Sequence, residues 1–514
     1  MASRLSQFTR DVSPYLILLI AISTLGPLQF GFHLGELNAP QDVITCQKKS
    51  IWARTVTTAF ARSNHVHPTS DLLDCIPMDN VQFAIVSSAF TVGGLIGALG
   101  AGPVSSSYGR LLAMRITSVF FAIGSVIEAV ASAISILAIG RILSGAGAGA
   151  ATVIVPLYIS EIAPPKERGF FGFMTQISIN VGILTAQTLG YFLSYGSAWR
   201  WILGTGAIIG GAHGFGLFLV PESPAWLAAN KSASRARRIL QRIRGKDYDV
   251  EEEVAAWSPG AENPEEEGLL EDDADAEIQA SRSGANAGKD GGKDSEHLGF
   301  IQVVRDPETR PAIIAVVGTM FAQQLCGINS IIMYSVSLLA DLLPISSALL
   351  TLIISAMNLV VTIACSPLPD KLGRKACLLL STVGQGTSAL CLALSIMFGV
   401  KILSAIAVLT FVAFFAVGLG PVPFMMASEL VGQKAVGATQ SWGLGASYIA
   451  TFLVAQFFPI VNAALNERLG GAGWVYFIFT ALAVCSGLFI TWRVPETNGK
   501  KDADEVWGRT RRLD

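Results

Sequence analysis

Charge is scarce in this chain. Only 14% of its 514 residues are Asp, Glu, Lys or Arg, and 36 basic residues nearly cancel 38 acidic ones. There is no basic excess of the kind a nucleic-acid-binding surface needs, so nucleic acid is not an expected partner. Five histidines and seven cysteines fall in no metal-ligand spacing. No glycine-rich nucleotide loop precedes a helix, and no nucleophile, base and acid stand in a supporting context. An enzyme, a metal and a cofactor are therefore not expected. A small-residue cleavage site after the first apolar stretch is also missing, so that stretch is read as retained rather than as a signal peptide.

What fills the sequence is apolar. Hydrophobic residues make up 51% of it, with 51 glycines and a mean hydropathy of +0.52, which places the chain among polytopic all-α membrane proteins. Apolar stretches long enough to span a bilayer run near 14–35, 81–103, 112–132, 134–158, 170–195 and 199–219, and again near 311–340, 346–366, 376–399, 401–425, 437–462 and 472–492. The pattern is six, a polar interruption, then six. Gly93 and Gly97, Gly145 and Gly149, and Gly182, Ala186 and Gly190 recur at four-residue spacing, which lets helix backbones approach closely.

This divides the chain into an N-terminal bundle (1–220), a linker (221–305), a C-terminal bundle (306–495) and a short tail (496–514). Arg110, Arg115, Lys166, Arg168, Lys371, Arg374 and Lys375 lie in alternate short loops, on the side shared with Arg235, Arg237, Arg238, Arg242 and Arg244 of the linker. By the positive-inside rule that side is cytoplasmic, with both termini on it. The loop 42–80 then faces the exterior or a lumen. It holds Cys46 and Cys75, for which a disulfide and two free thiols are both open, because spacing does not fix connectivity. The linker is basic and helix-compatible up to about Gly245, then acidic and rich in Gly, Ala and Ser over 249–296. Such composition predicts a disordered, solvated spacer there.

Against this background a few ionisable groups stand out, because they cost several kcal/mol at mid-bilayer and usually face a cavity or pathway. His33 and Glu36 lie in the first segment and Arg141 in the fourth. Either His33 titrates and Glu36, one turn on, supplies the negative partner of Arg141, or His33 stays neutral and Glu36 points to an outer vestibule. The proton is thus a candidate partner. Glu128, near the outer end of the third segment, is expected to reach the interface, and His213 in the sixth is expected to be a hydrogen-bonded interhelical residue. Charged groups deep in a helical bundle point to a transporter.

The motifs carry a resemblance. QQLCGIN (323–329), PESPAWL (221–227), PETNG (495–499), DKLGRK (370–375) and GRILSG with PLYISEIAPPKERG (140–169) are set around the six-plus-six pattern. The set resembles the sugar porter family of the major facilitator superfamily. FGFHLGELNAPQ further resembles a fungal branch that includes a yeast vacuolar-protein-sorting-associated member. The resemblance implies twelve transmembrane helices in two bundles of six, and transport of a monosaccharide such as a hexose by alternating access. Uniport, proton symport and, as an alternative, a transporter-like sugar receptor or trafficking factor are all compatible with it, in the plasma membrane or the vacuolar membrane.

It also implies residue roles. Gln176, Gln323, Gln324, Asn329 and Asn358 match positions that hold the sugar, with Phe424 and Tyr448 as ring platforms. Gln323 and Gln324 cannot both face the same way on one helix, whereas Gln324 and Asn329 are close to a helical repeat. Arg110, Glu161, Arg168, Asp370, Arg374, Lys375 and Glu429 match cytoplasmic helix ends, where they are expected to form a salt-bridge latch between the two halves, because acidic residues there do not follow from the positive-inside rule.

Overall fold

In the computed structural model the residues described are 13–48, 74–164, 167–245, 248–255, 300–338, 347–432, 435–500 and 503–508. They are helical almost throughout. Helices α1 (Pro14–Gly35), α2 (Asn80–Tyr108), α3 (Arg110–Val130) and α4 (Ile134–Ile162) are followed by α5 (Arg168–Leu193) and α6 (Trp199–Gly216). After the linker come α7 (Arg310–Leu325 continued by Ile328–Tyr334), α8 (Ser347–Cys365), α9 (Arg374–Met397), α10 (Lys401–Glu429), α11 (Val436–Leu469) and α12 (Val475–Arg493). Ten of these are long and apolar enough to span a membrane when the two parts of α7, bent by 45°, are taken as one. The two others, α5 and α6, occupy the fifth and sixth expected segments and complete twelve.

Local chemistry sets the ends. Ser13 caps α1 through the amide of Leu16, with Pro14 at its first position, where a missing N–H costs nothing. Asp79 and Gln82 form a capping box on α2. Turns at Gly109 (φ 97°) and Gly373 (φ 95°) lead from α2 into α3 and into α9, a conformation that disfavours residues with a Cβ. Between α2 and α4 the glycine spacing has its expected use. A Cβ on Gly145 would stand 2.0 Å from the carbonyl oxygen of Phe90, and one on Gly149 1.9 Å from that of Gly94.

Helix α3 illustrates how each span is oriented. Leu112, Ile116, Val119 and Ile123 are exposed on its outer face, while Ala113, Thr117, Phe121, Gly124 and Glu128 form a buried stripe. Since lipid tails solvate the first set as well as protein would, close packing and polar contacts hold the second. The halves meet where α2 packs along α11, α5 along α8 and α1 against α7.

On the expected cytoplasmic side the helices Pro224–Asn230 and Ala233–Arg244 pack beneath the first half, and Arg244 reaches the carbonyl of Ile162 at 2.6 Å. The start of the acidic stretch departs from the expected disorder. Glu251–Ala255 is helical, with Glu251 paired to Arg237 and Glu253 to Arg244 at 2.7 Å, because the basic helix beside it supplies partners. Residues 256–299 lie outside the described residues, as do 49–73 of the outer loop. Cys46 and Cys75 are joined as a disulfide.

Candidate functional site

A cavity lies between the halves. All seven residues singled out for sugar contact line it: Gln176 from α5, Gln323, Gln324 and Asn329 from α7, Asn358 from α8, Phe424 from α10 and Tyr448 from α11. Gln323 and Gln324 are consecutive in the first part of α7 and, as expected, point differently, Gln323 toward the carbonyls of Leu419 and Gly420 and Gln324 toward Ser447, although both reach the cavity wall. Gly327, with φ 98°, interrupts the helix just after both, and Asn329 re-enters the wall beyond the bend.

The amides form two linked groups. Gln324 Nε2 donates to Gln323 Oε1 (3.1 Å) and Ser447 Oγ (3.0 Å), and Asn329 Nδ2 donates to Gln324 Oε1 (2.6 Å) and Thr451 Oγ1 (3.1 Å). Gln323 Nε2 is taken by the carbonyls of Leu419 and Gly420 at the break in α10. Across the cavity, Asn180 Oδ1 accepts from Gln176 Nε2 (3.1 Å) and Asn358 Nδ2 (3.2 Å), while its Nδ2 donates to Thr362 Oγ1 (2.7 Å). Asn358 Oδ1 is buried without a hydrogen-bond donor among the described residues. Since buried acceptors are rarely left unpaired, this one offers itself to a donor in the cavity. Phe30 and Tyr448 meet edge to face at 6.1 Å on the same wall.

Behind α1 lies a charged cluster. His33, Glu36 and Glu128 are fully buried and Arg141 is 1% exposed. Arg141 Nη1 donates to the carbonyl of His33 at 2.8 Å and to Glu36 Oε1, and His33 Nδ1 lies 2.8 Å from the same oxygen. Glu36 therefore turns inward to Arg141, not toward an outer vestibule. Glu128 corrects a second expectation: instead of reaching the interface it accepts from Ser144 Oγ at 2.6 Å and lies 3.9 Å from Arg141. His213 is buried too, but neither ring nitrogen has a hydrogen-bond partner among the described residues.

At the expected cytoplasmic ends the structure repeats one arrangement in each half. Arg110 pairs with Glu161 at 2.7 Å, and the Glu222 carboxylate accepts from the amides of Arg110 (2.8 Å), Leu111 (3.2 Å) and Ser223 (2.9 Å). Likewise Arg374 pairs with Glu429 at 3.0 Å and Asp370 at 2.9 Å, and Glu496 accepts from the amides of Arg374 (2.8 Å) and Lys375 (3.1 Å). Lys375 Nζ donates to the carbonyl of Thr491 at 2.8 Å. These pairs form inside a half, not between halves, which corrects the pairing expected from the sequence. The side chain of Arg168 lies outside the described residues.

Over residues 19–506 the chain matches the family described as "Sugar (and other) transporter". The chain belongs to this sugar transporter family. It is 32% identical over 499 residues to a probable metabolite transport protein, YBR241C, of Saccharomyces cerevisiae, covering 96% of each chain. It is 31% identical over 479 residues, 93% of each, to the vacuolar protein sorting-associated protein 73 of the same yeast, the kind of relative to which FGFHLGELNAPQ pointed. Its fold is similar to the proton:xylose symporter XylE of the major facilitator superfamily, solved with 6-bromo-6-deoxy-D-glucose, with a TM-score of 0.71 at 23% identity over 96% of this chain and 98% of that one. Family and fold make this a multi-pass membrane transporter of the sugar class rather than an enzyme.

For this sugar transporter, reading the sequence alone passed over Asn180, Thr362, Glu222 and Glu496. Asn180 follows Gln176 by one turn on the same helix face, a signal that was available. Glu222 and Glu496 stand in the two PE-S/T motifs that follow the last helix of each half. Their repetition marks a shared role, in which each carboxylate binds the first amides of α3 or α9, where helix N-termini attract negative charge.

Proposed function

We propose that the chain carries a monosaccharide, a hexose in the first instance, by alternating access about the central cavity. The observation that carries this reading is the cavity itself, whose wall joins six amide side chains from both halves to the aromatic rings of Phe424 and Tyr448. A sugar presents hydroxyls that each donate and accept, and the unpaired Asn358 Oδ1 and the Gln324–Asn329 pair are suited to them. The ring faces of a pyranose are apolar and suit aromatic walls.

In this reading residues 1–220 and 306–495 move as two bodies, and their termini lie in the cytoplasm. The Arg110–Glu161–Glu222 and Arg374–Glu429–Glu496 groups hold the cytoplasmic helix ends within each body together, so that the halves rock without distorting. The test is radiolabelled hexose uptake into proteoliposomes. Gln324→Ala removes the donor shared by Gln323 and Ser447 and leaves a buried group unpaired, at a cost of roughly 1–3 kcal/mol. Uptake is expected to fall about fivefold or more, since about 1.4 kcal/mol is a factor of ten. Unchanged uptake in that variant would remove the cavity from the reading, and saturable binding without uptake by the wild type would favour a receptor.

A further inference from the structure

We propose that the linker helix Ala233–Arg244, with the adjoining ends of α1, α3 and α6, forms a binding site for the headgroup of an anionic phospholipid. The site lies on the side expected to be cytoplasmic, away from the central cavity, and it stands whatever the cavity carries.

The helix starts at Ser232, whose side chain caps the amide of Arg235. Ala236, Leu240 and Ile243 are its buried face, so the arginines fall on two edges. Arg237 and Arg244 stand on one edge, and both have acids: Glu251 for Arg237, and Glu253 at 2.7 Å for Arg244. Arg235, Arg238 and Arg242 follow at three and four residues on the other edge and are exposed. Among the described residues none of these three has an acidic partner. Three like charges along one edge repel one another and attract an anion.

Beside that edge lies the bilayer. The Arg242 guanidinium stands 4.9 Å from the ring centroid of Tyr15, at the start of α1, where Ile17 and Leu18 are exposed. The Tyr15 hydroxyl is 3.5 Å from the carbonyl oxygen of Leu219, just past α6. There Arg115 of α3 donates to the carbonyl of Leu217 at 3.2 Å and lies 5.0 Å from the ring centroid of Phe218. Its Nε is buried without a hydrogen-bond partner among the described residues, so a donor is left over as well as charge. Around it Phe215, Phe218 and Leu219 are exposed, as suits aromatic and apolar groups at the end of a membrane span.

This combination matches a phospholipid, whose acyl chains meet the apolar residues while its phosphate meets the arginines. Guanidinium groups bind phosphate through paired hydrogen bonds. A zwitterionic headgroup brings its own cation to the unmatched arginines, so a lipid of net negative charge is favoured. The chain's own acidic stretch is the less fitting occupant, because its first residues, Glu251 and Glu253, already lie on the opposite edge. Since Arg244 also reaches the carbonyl of Ile162 at the end of α4, a bound headgroup ties the linker to α1, α4 and α6 of one half.

Native mass spectrometry of the purified full-length protein, offered equal amounts of phosphatidylserine and phosphatidylcholine, tests the site. The wild type is expected to retain phosphatidylserine in about tenfold excess or more. Each basic residue near an anionic headgroup accounts for about a fivefold change in binding. Arg238→Gln should therefore lower the preference about fivefold, and Arg235→Gln, Arg238→Gln and Arg242→Gln together should abolish it. Lysine at the same three positions keeps the charge and should keep most of the preference. Arg238 is exposed and unpaired, so its variant is expected to melt with the wild type when no lipid is added. Equal retention of the two lipids by the wild type, or a preference unchanged in both glutamine variants, overturns the proposal. A preference that appears only when Glu265, Glu266 and Glu267 are replaced by glutamine also overturns it, by assigning the arginines to the acidic stretch. Glycerophosphoserine, which has the headgroup without acyl chains, should compete weakly; competition as strong as that of the intact lipid would make the site one for soluble phosphates instead.

Discussion

Replacing Asn180 by leucine, of similar size, removes the amide that ties α5 to α8. Asn180 makes three hydrogen bonds, and two of them, to Thr362 and from Asn358, cross between the halves. Thr362 keeps its own bond to the carbonyl of Asn358 at 2.8 Å, so the loss falls mainly on the crossing. Hydrogen bonds between membrane helices contribute about 0.6 kcal/mol on average and up to about 1.7. Two of them give roughly 1–3 kcal/mol, a factor of about 5–150 in an equilibrium between two states. States in which α5 and α8 have separated lack these bonds already, so the penalty falls on the closed state, which any carrier must pass through on each half-cycle. Hexose counterflow by Asn180→Leu in proteoliposomes is expected to fall within that range. Thr362→Val, which loses one crossing bond, should lie between the variant and the wild type. Wild-type counterflow by Asn180→Leu, at an unchanged melting temperature, would refute the argument.

Glu222→Ala strips the carboxylate from the amides of Arg110 and Leu111, and a lost helix cap of this kind costs roughly 0.5–2 kcal/mol; a lower temperature for loss of monodispersity in detergent is expected, and an unchanged one would refute the capping role. The disulfide closes a separation of 29 residues, so Cys46→Ser should destabilise the outer loop's attachment by about 3–4 kcal/mol on the chain-entropy estimate. Alkylation of the denatured wild type without reductant should spare two of its cysteines, and labelling of all seven would show that the bridge is absent.

How much of this could be read without coordinates depended on whether a residue's environment is local or assembled. The spans were legible because a bilayer demands long apolar runs whatever packs beside them. The cavity amides were legible because uncharged polar groups inside such runs need partners, and the motif resemblance chose among them. The break at Gly327, beyond which Asn329 returns to the wall, was not, since no side-chain pattern announces its angle. Nor was the pairing of Arg110 with Glu161 and of Arg374 with Glu429. The sequence places all four at cytoplasmic ends, and only the packing of the helices decides which ends are neighbours.

Glu128 is the instructive failure, because its signal was present. Arg110, Ala113, Thr117, Phe121, Gly124 and Glu128 are spaced by three or four residues and so form one stripe of α3. The stripe carries small and polar residues where the opposite face carries Leu112, Ile116, Val119 and Ile123. A position near a helix end suggested the interface, whereas the periodicity put Glu128 on the face turned toward Gly140 and Ser144 of α4. Once buried there, it is one carboxyl more than Arg141 can balance. The helical stripe and the Ser144 hydrogen bond thus lead to the same buried face of α3, where a rule based on distance from the helix end led away from it.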